Sequence, residues 1–253
     1  MGFKFLKTGK ESVALAAQDK IEAQIRKEES AKAFRFYLKV GEDARITFVD
    51  GEIPKGYLEP PRYYEHLVFF NGVWTPFVCP EKTNPDSGED CPIDDLPDRP
   101  SLVSAFTVID HREYTSKKDS TKKYKNTKKL FICKGTSFEM LNKIAIKIGG
   151  LAGQTFDVSR TGDKEPGVGN MFLPIEKKTI EELKAIYQEV LEDPKTNTKT
   201  KQTYFIPYDY EKEITYRTGD ELRKLGFGKP GAQTVASPAG NTGGEHVDYS
   251  QQL

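Results

Sequence analysis

The chain has 253 residues, 36% hydrophobic and 30% charged, so it can bury a core for one domain with extensions or for two small domains. Its formal net charge is zero, and no apolar run reaches the roughly 18 residues that a membrane span requires. Three cysteines are an odd number for a disulfide framework and the amino terminus lacks an apolar secretory segment, so we expect a reducing, intracellular setting without membrane contact.

Charge is segregated along the chain. Residues 112–134 contain nine basic and two acidic residues, a net charge of +7. Residues 79–98 contain seven acidic residues and one lysine, a net charge of −6. Because local patches rather than the total charge attract phosphates and counter-ions, a neutral total does not exclude a nucleic-acid partner.

The first predicted element is a helix over residues 11–33, where Val13, Ala17, Ile21 and Ile25 form a narrow apolar stripe on a charged helix. With the basic arm that precedes it, this helix makes up an amino-terminal region of residues 1–33.

Residues 34–176 alternate apolar and polar side chains and predict a strand-rich core. The dipeptide Asn71-Gly72 between two such runs predicts a hairpin, because both turn residues need positive φ. A helix is expected near 137–148, ended by Gly149-Gly150. The predicted strands are residues 34–39, 44–50, 64–70, 73–78, 101–110, 128–134, 154–161 and 170–176.

This order of several strands, one helix and two strands is typical of an OB-fold, a five-stranded Greek-key barrel with a helix between strands three and four. We therefore expect a mainly β fold with helical additions (α+β), in which residues 63–98 insert a hairpin and a zinc-like loop. Flanking helices complete the predicted architecture.

The region after 176 is predicted to be a helical extension over residues 177–230. Capping boxes at Thr179–Glu182 and Thr218–Glu221 each open a helix, the first running to Pro194 and followed by a polar linker at 195–203. Residues 231–253, rich in Gly, Ser, Asn and Gln, predict a disordered tail.

The basic loop between the strands at 101–110 and 128–134 interleaves lysines with tyrosines. Such a mixture binds single-stranded nucleic acid, since cations follow phosphates and aromatic faces stack on bases. The alternative is a solvated lysine loop, but neighbouring aromatic strands favour binding. The candidate nucleic-acid-binding residues are Arg35, Tyr37, Lys39, Arg45, Tyr64, Trp74, Phe106, Arg112, Tyr114, Lys117, Lys118, Lys122, Lys123, Tyr124, Lys125, Lys128, Lys129, Phe131, Lys134 and Arg160.

A metal site is predicted around the hairpin. Zinc takes four ligands from thiolate, imidazole and carboxylate, and His66, Cys79, Cys91 and Asp94 supply those types. The alternative is a partly buried histidine with two structural thiols. Cys133 lies in an apolar strand and is expected to be a core thiol.

Catalysis is not expected. The chain has no Gly-rich phosphate loop, no HExxH and no GxSxG, and three histidines leave little for acid–base chemistry. A metal-dependent nuclease using clustered carboxylates is the weakest of the functional alternatives. A zinc-stabilised module that binds protein is the stronger one.

Several stretches together resemble the bacteriophage single-stranded DNA-binding proteins. They are DRPSLVSAFTVIDHREY (98–114) with the lysine-rich loop and KKLFICK after it, GGLAGQTFDVSRTGDKEPGVGNMF (149–172), GEDARITFVDGE (41–52) and HLVFFNGVWTPFVCP (66–80). The resemblance implies an OB-fold core that holds single-stranded DNA in a basic, aromatic-lined cleft with little sequence readout. It further implies a role in phage DNA replication, recombination and repair, in the cytoplasm of an infected bacterial host.

The resemblance also bears on the metal and on partners. The helix-destabilising proteins of T-even phages carry a zinc subdomain of the form His-x12-Cys…Cys-x2-Cys, and His66, Cys79 and Cys91 match its first three ligands, with Asp94 at the fourth. The family's acidic tail recruits replication or recombination proteins, whereas this tail has two acids, Glu245 and Asp248. By the same resemblance the amino-terminal helix mediates self-association on DNA; packing on the barrel is the alternative.

Overall fold

The structure is a computed structural model. It describes residues 9–13, 15–17, 19–20, 23, 32–70, 73–96, 99–115, 121, 123–192 and 198–228. The tail at 231–253, the turn Asn71-Gly72 and the candidate residues Lys117, Lys118 and Lys122 lie outside the described residues. Of the amino-terminal helix, the described residues between 10 and 23 are helical and exposed, among them Val13 and Ala17 of the apolar stripe.

Eleven strands are described. They are β1 (Asp43–Phe48), β2 (Arg62–Phe70), β3 (Val73–Val78), β4 (Ser101–Asp110), β5 (Tyr114–Thr115), β6 (Lys123–Tyr124), β7 (Thr127–Lys134), β8 (Gln154–Ser159), β9 (Met171–Lys177), β10 (Gln188–Glu192) and β11 (Lys199–Thr203). The helices are α1 (Pro80–Thr83), a 3-10 turn (Pro85–Ser87), α2 (Gly135–Ile148), α3 (Ile180–Ile186), α4 (Tyr210–Glu213) and α5 (Gly219–Lys224).

A seven-stranded antiparallel sheet forms the centre of the fold. Its order is β3-β2-β4-β1-β8-β9, and β7 pairs with β4 along the other edge of that strand. The expectation of a mainly β protein with helical additions is confirmed. The strand pairing of the described residues does not close into a barrel, because residues 34–39 join β7 through a single parallel bridge at Arg35 and Leu130 rather than as a full strand.

The main core lies between the inner face of this sheet and α2. The ring of Phe48 contacts those of Phe106, Phe131 and Phe156 at centroid distances of 5.8, 5.3 and 5.6 Å. Leu141 of α2 is fully buried against them. Each such side chain contributes roughly 1.5–3 kcal/mol by leaving water, so the sheet is stabilised mainly by apolar area.

The carboxy-terminal extension covers the outer face of the sheet. Leu183, Tyr187 and Phe205 pack against Val49 and Ile109. Tyr210 and Ile214 pack in the same way against Val103 and Ala105 of β4. As a result, β4 is buried on both faces over most of its length.

The two predicted capping boxes are confirmed at Thr179–Glu182 and Thr218–Glu221. The first helix, however, ends at Ile186 rather than at Pro194, and a β-hairpin of β10 and β11 follows where helix and linker were expected. Glu192 lies opposite Lys199 in that hairpin. Backbone pairing of residues 188–192 with residues 199–203 has overridden the local helical preference.

None of the helices in the described part of the chain combines the length and the apolar character that a membrane span requires.

Candidate metal cluster and nucleic-acid interface

The β2–β3 hairpin places His66 and Cys79 side by side. His66 lies opposite Phe77 in the antiparallel pairing, and the Cys79 N–H donates to the Tyr64 carbonyl at 2.8 Å, which continues the ladder one residue past β3. Residues two apart along a strand face the same side. The hairpin predicted from sequence therefore accounts for the proximity of these two side chains.

Cys91 and Asp94 come from the loop that follows. A turn, in which the Asp94 N–H donates to the Cys91 carbonyl at 3.0 Å, places both side chains beside the hairpin. Cys91 Sγ and His66 Nε2 are 3.4 Å apart, His66 Nε2 and Asp94 Oδ1 are 3.4 Å apart, and Cys79 Sγ and Asp94 Oδ2 are 3.7 Å apart.

These distances fit a tetrahedral metal site. With metal–ligand bonds of roughly 2.0–2.3 Å, neighbouring ligand atoms of a tetrahedron lie about 3.3–3.8 Å apart. All four ligand atoms of His66, Cys79, Cys91 and Asp94 lie within 4.8 Å of one another, so the cluster could hold a metal ion. The structure thus brings together the four residues predicted from sequence, with a carboxylate completing the set.

Burial adds to this chemistry. His66, Cys79 and Cys91 are buried, whereas Asp94 is exposed. Loss of solvation raises the pKa of the Cys91 thiol to about 12 and also raises the pKa of Cys79. Thiolates would therefore need a positive charge beside them, which a bound cation supplies. Cys133 is buried in the main core, as predicted.

The carboxy-terminal segment packs directly on this cluster. Leu222 and Phe227 join the two cysteines in one buried group, and the Phe227 ring lies 5.1 Å from that of Phe77. Gly219 approaches so closely that a Cβ there would meet the Asp90 carbonyl at 2.6 Å. Arg223 pairs with Asp90 at the rim. Distant parts of the chain thus enclose the metal-ligand set.

Segment 34–39 links this hairpin to the basic loop. Phe36 and Leu38 point into the main core, so Arg35, Tyr37 and Lys39 alternate to the other side. Arg35 donates to Glu65 of β2 at 2.6 Å, which ties the segment to the hairpin.

At its other end, segment 34–39 contacts a compact ionic group. Asp110 is fully buried and accepts bonds from Arg112 NH2 at 2.7 Å and from the Tyr114 hydroxyl, with Lys129 Nζ at 3.2 Å. Although burial alone would raise it, these cations hold the pKa of Asp110 below its usual range. Arg112 NH2 also donates to the Tyr37 carbonyl at 3.1 Å.

The described part of the basic loop carries exposed cations and an exposed aromatic ring. Tyr114 lies opposite Tyr124 in the β5–β6 ribbon. Lys123 pairs with Glu113 at 2.9 Å, and Tyr124 and Lys125 are exposed. Aromatic and basic side chains therefore share one surface here.

Three predicted nucleic-acid-binding residues are almost fully buried, and these predictions are wrong as direct contacts. Phe106 and Phe131 are core rings with almost no exposure, because both lie on the inner face of the sheet. Arg160 is buried and donates to the Tyr37 hydroxyl and the Leu38 carbonyl. Tyr64 packs against the cysteine group but is half-buried, so its role stays a prediction.

Three more predicted cations are paired with an acid, stacked on a ring or buried. Arg45 pairs with Asp157 at 2.7 Å on the outer face of β1 and β8. Lys128 lies 4.3 Å from the centre of the Tyr208 ring, and Lys129 is buried, which lowers its pKa. The candidates with exposed or half-buried side chains are Arg35, Tyr37, Lys39, Arg45, Tyr64, Trp74, Arg112, Tyr114, Lys123, Tyr124, Lys125, Lys128 and Lys134.

Phe69 is a residue that the sequence reasoning missed. It lies opposite Trp74 on the hairpin, the two rings are 5.6 Å apart, and Phe69 is 38% exposed. The hairpin predicted from Asn71-Gly72 is the signal that could have identified it, since a two-residue turn at 71–72 pairs Phe69 with Trp74.

The outer face of β4 and β7 is closed to a ligand. The Tyr208 N–H donates to Thr107 Oγ1 at 2.9 Å, and the Tyr210 hydroxyl bonds to both Thr107 and Asp50. These contacts fasten the extension over the sheet.

Comparisons with protein-family models, with curated proteins and with solved structures found no match for this chain.

Proposed function

We propose that the protein binds single-stranded DNA without catalysis, along segment 34–39 between the aromatic pair of the hairpin and the basic loop. The observation that carries this proposal is the alternation of Arg35, Tyr37 and Lys39 away from the core. Cations spaced with aromatic rings along one surface suit a single strand, whose phosphates repeat and whose bases offer flat faces.

The path of the strand follows from what flanks that segment. Arg35 ties it to the hairpin that presents Phe69 and Trp74, and the Tyr37 carbonyl ties it to Arg112 and Tyr114. The carboxy-terminal extension covers the outer face of β4 and β7, whereas this line is an accessible aromatic and basic surface among the described residues. Base stacking there contributes about 1–3 kcal/mol per base.

An OB-like topology supports the same proposal. Helix α2 lies between β7 and β8, and β8 returns to pair with β1. Phe36 N–H donates to Leu130 at 2.6 Å and Leu38 N–H donates to Gly167 at 2.7 Å, so residues 36–38 span the gap between β7 and the loop after β8. A closing strand would run there in a barrel. The resemblance to phage single-stranded DNA-binding proteins is what favours DNA, replication and recombination.

Zinc is the metal we assign to the cluster. Two thiolates, an imidazole and a carboxylate suit Zn²⁺ better than Mg²⁺ or Ca²⁺, which prefer oxygen ligands. A bound zinc ion would supply positive charge that holds the two thiolates. His66 and Cys79 would then anchor the hairpin to the loop carrying Cys91 and Asp94, so that Phe69 and Trp74 keep a fixed position beside segment 34–39.

The test is a titration with oligo-dT at several salt concentrations. Replacing the exposed Lys39, Lys123, Lys125 and Lys134 by Gln should weaken binding at least tenfold and flatten the log–log salt dependence, since each lost phosphate contact removes about 0.7 from the slope. The matched control replaces four other exposed lysines, Lys55, Lys143, Lys184 and Lys224. It has the same net charge and should bind like the parent protein.

Affinity that does not change with salt, or a preference for duplex over single strand, would contradict the proposal. Cleavage of the oligonucleotide in Mg²⁺ or Mn²⁺ would favour the nuclease alternative instead. Equal losses in the two quadruple variants would show that net charge, and not this surface, governs binding.

A further inference from the structure

The guanidinium group of Arg112 is held along two of its edges by buried acceptors. Nε donates to Asp110 Oδ1 at 3.1 Å, while NH2 donates to Asp110 Oδ2 at 2.7 Å and to the Tyr37 carbonyl at 3.1 Å. The remaining nitrogen, NH1, pairs with Glu42 Oε1 at 2.8 Å. Two carboxylates therefore share one guanidinium group.

These two carboxylates differ in their access to water. Asp110 is fully buried, whereas 37% of the Glu42 side chain is exposed. Removing Arg112 from Asp110 would leave a buried charge with only Lys129 and the Tyr114 hydroxyl beside it, which is costly. Removing it from Glu42 returns a carboxylate to water. Glu42 is therefore the partner that can be exchanged.

Glu42 is also held in a defined place beside the proposed strand path. Its N–H donates to the Lys39 carbonyl at 3.0 Å, and its Oε2 accepts the Lys39 N–H at 2.8 Å. Gly41 adopts φ of 75° in this turn, a conformation that few other residues tolerate. The turn thus places a carboxylate at the end of segment 34–39.

A phosphodiester has the same single negative charge as a carboxylate and also offers two oxygens to a guanidinium group. We propose that Glu42 occupies the position at which Arg112 meets a DNA phosphate, so that it lowers the affinity of the interface by competing with the strand. This inference rests on the proposed function and concerns the regulation of that same surface.

The exchange has a measurable consequence. When a phosphate replaces Glu42 beside Arg112, one anion replaces another, so the net charge around the guanidinium group does not change. In a Glu42→Gln variant the competing charge is absent, although the amide oxygen can still accept the Lys39 N–H. Arg112 then adds a phosphate contact, which should steepen the salt dependence by about 0.7 in log–log slope.

The experiment compares Glu42→Gln with Glu59→Gln in oligo-dT titrations at several salt concentrations. Glu59 is a matched control because 37% of its side chain is exposed and it pairs with Lys55 at 3.0 Å. Both variants change the net charge equally. We expect Glu42→Gln to bind about three- to tenfold more tightly, as a charge-assisted contact warrants, and Glu59→Gln to stay within about twofold of the parent.

A second set of variants tests whether Arg112 makes the additional phosphate contact. Arg112→Lys keeps a cation beside Asp110 but removes the forked donors, so adding Glu42→Gln to that variant should give no further gain. Thermal unfolding of every variant shows whether the fold is retained. Glu42→Ala, which also removes the charge, replaces Glu42→Gln if the amide proves destabilising.

The outcomes separate this inference from the proposed function. If the parent protein does not bind oligo-dT, the proposed function fails and this inference fails with it. If the parent binds but Glu42→Gln binds equally or more weakly, the competing role of Glu42 is wrong and the interface stands. An equal gain in the Glu59 variant would likewise overturn it, because net charge alone would then explain the effect.

Discussion

The main core and the metal cluster differ in what holds them together. Around Phe48, aromatic rings from neighbouring strands and Leu141 of α2 fill the space between sheet and helix. Around Cys79 and Cys91, a smaller apolar group surrounds polar ligands and takes Leu222 and Phe227 from the far end of the chain. Apolar area is the main stabilising contribution in the first region, whereas the second combines polar ligands with apolar side chains from distant parts of the chain.

The largest expected effect tests whether the stability of the main core is independent of the metal cluster. Phe131→Ala removes a ring buried against Phe36, Phe48 and Phe106, so it should lower the free energy of unfolding by about 3–5 kcal/mol. The loss should be the same with zinc and with a chelator present. Urea unfolding under both conditions measures it, and a loss that depends on metal would show that the two regions are energetically coupled.

The metal cluster should respond in the opposite way. If the cluster binds zinc as proposed, zinc at about a thousandfold excess over its Kd should raise the free energy of unfolding by about 4 kcal/mol, because an ion that binds only the assembled ligand set stabilises the folded state. Cys91→Ser should abolish this response, while Cys133→Ser, with its thiol in the main core, should keep it. Thermal unfolding together with elemental analysis measures both.

Hydrogen exchange tests whether the packing of the carboxy-terminal segment depends on bound metal. Since Leu222 and Phe227 enclose the cysteines, chelation should increase exchange in residues 219–228 while leaving β4 and β7 protected. Unchanged exchange at 219–228 would mean that this segment docks without help from the metal.

The smallest of these effects concerns Asp50, a buried carboxyl group in the sheet region. Burial raises the pKa of Asp50 to about 6, although the Tyr210 hydroxyl and the Thr107 N–H oppose that shift. A carboxyl group whose folded pKa is raised stabilises the fold fully below its unfolded value near 4 and loses that contribution as the pH rises through about 6. Relative to Asp50→Asn, the parent should therefore lose up to about 3 kcal/mol between pH 4 and pH 7.

Chemical denaturation of both proteins at intervals across that range gives the difference directly. A difference that stays constant with pH would show that the pKa of Asp50 is the same in the folded and unfolded protein. The extension that Tyr210 fastens would then be held by ordinary hydrogen bonds.

Local patterns were informative wherever neighbouring residues decide the structure. The hairpin of β2 and β3, helix α2 and both capping boxes were predicted because turn residues, apolar spacing and caps act within a few residues. The predictions were wrong where contacts between separate segments of the chain determine the structure. The β10–β11 hairpin lies where helix and linker were predicted, because residues 188–192 pair with residues 199–203 rather than continuing the helix.

The sequence by itself determined which chemical groups are present and two of their spacings: His66 and Cys79 across a hairpin, and Cys91 three residues before Asp94. Only the tertiary structure decided which cations remain available. Arg112 is shared between Asp110 and Glu42, and Lys129 is buried beside them. The physical reason is that a charge is compensated by whatever lies nearest in space, and a basic run of sequence does not record those neighbours.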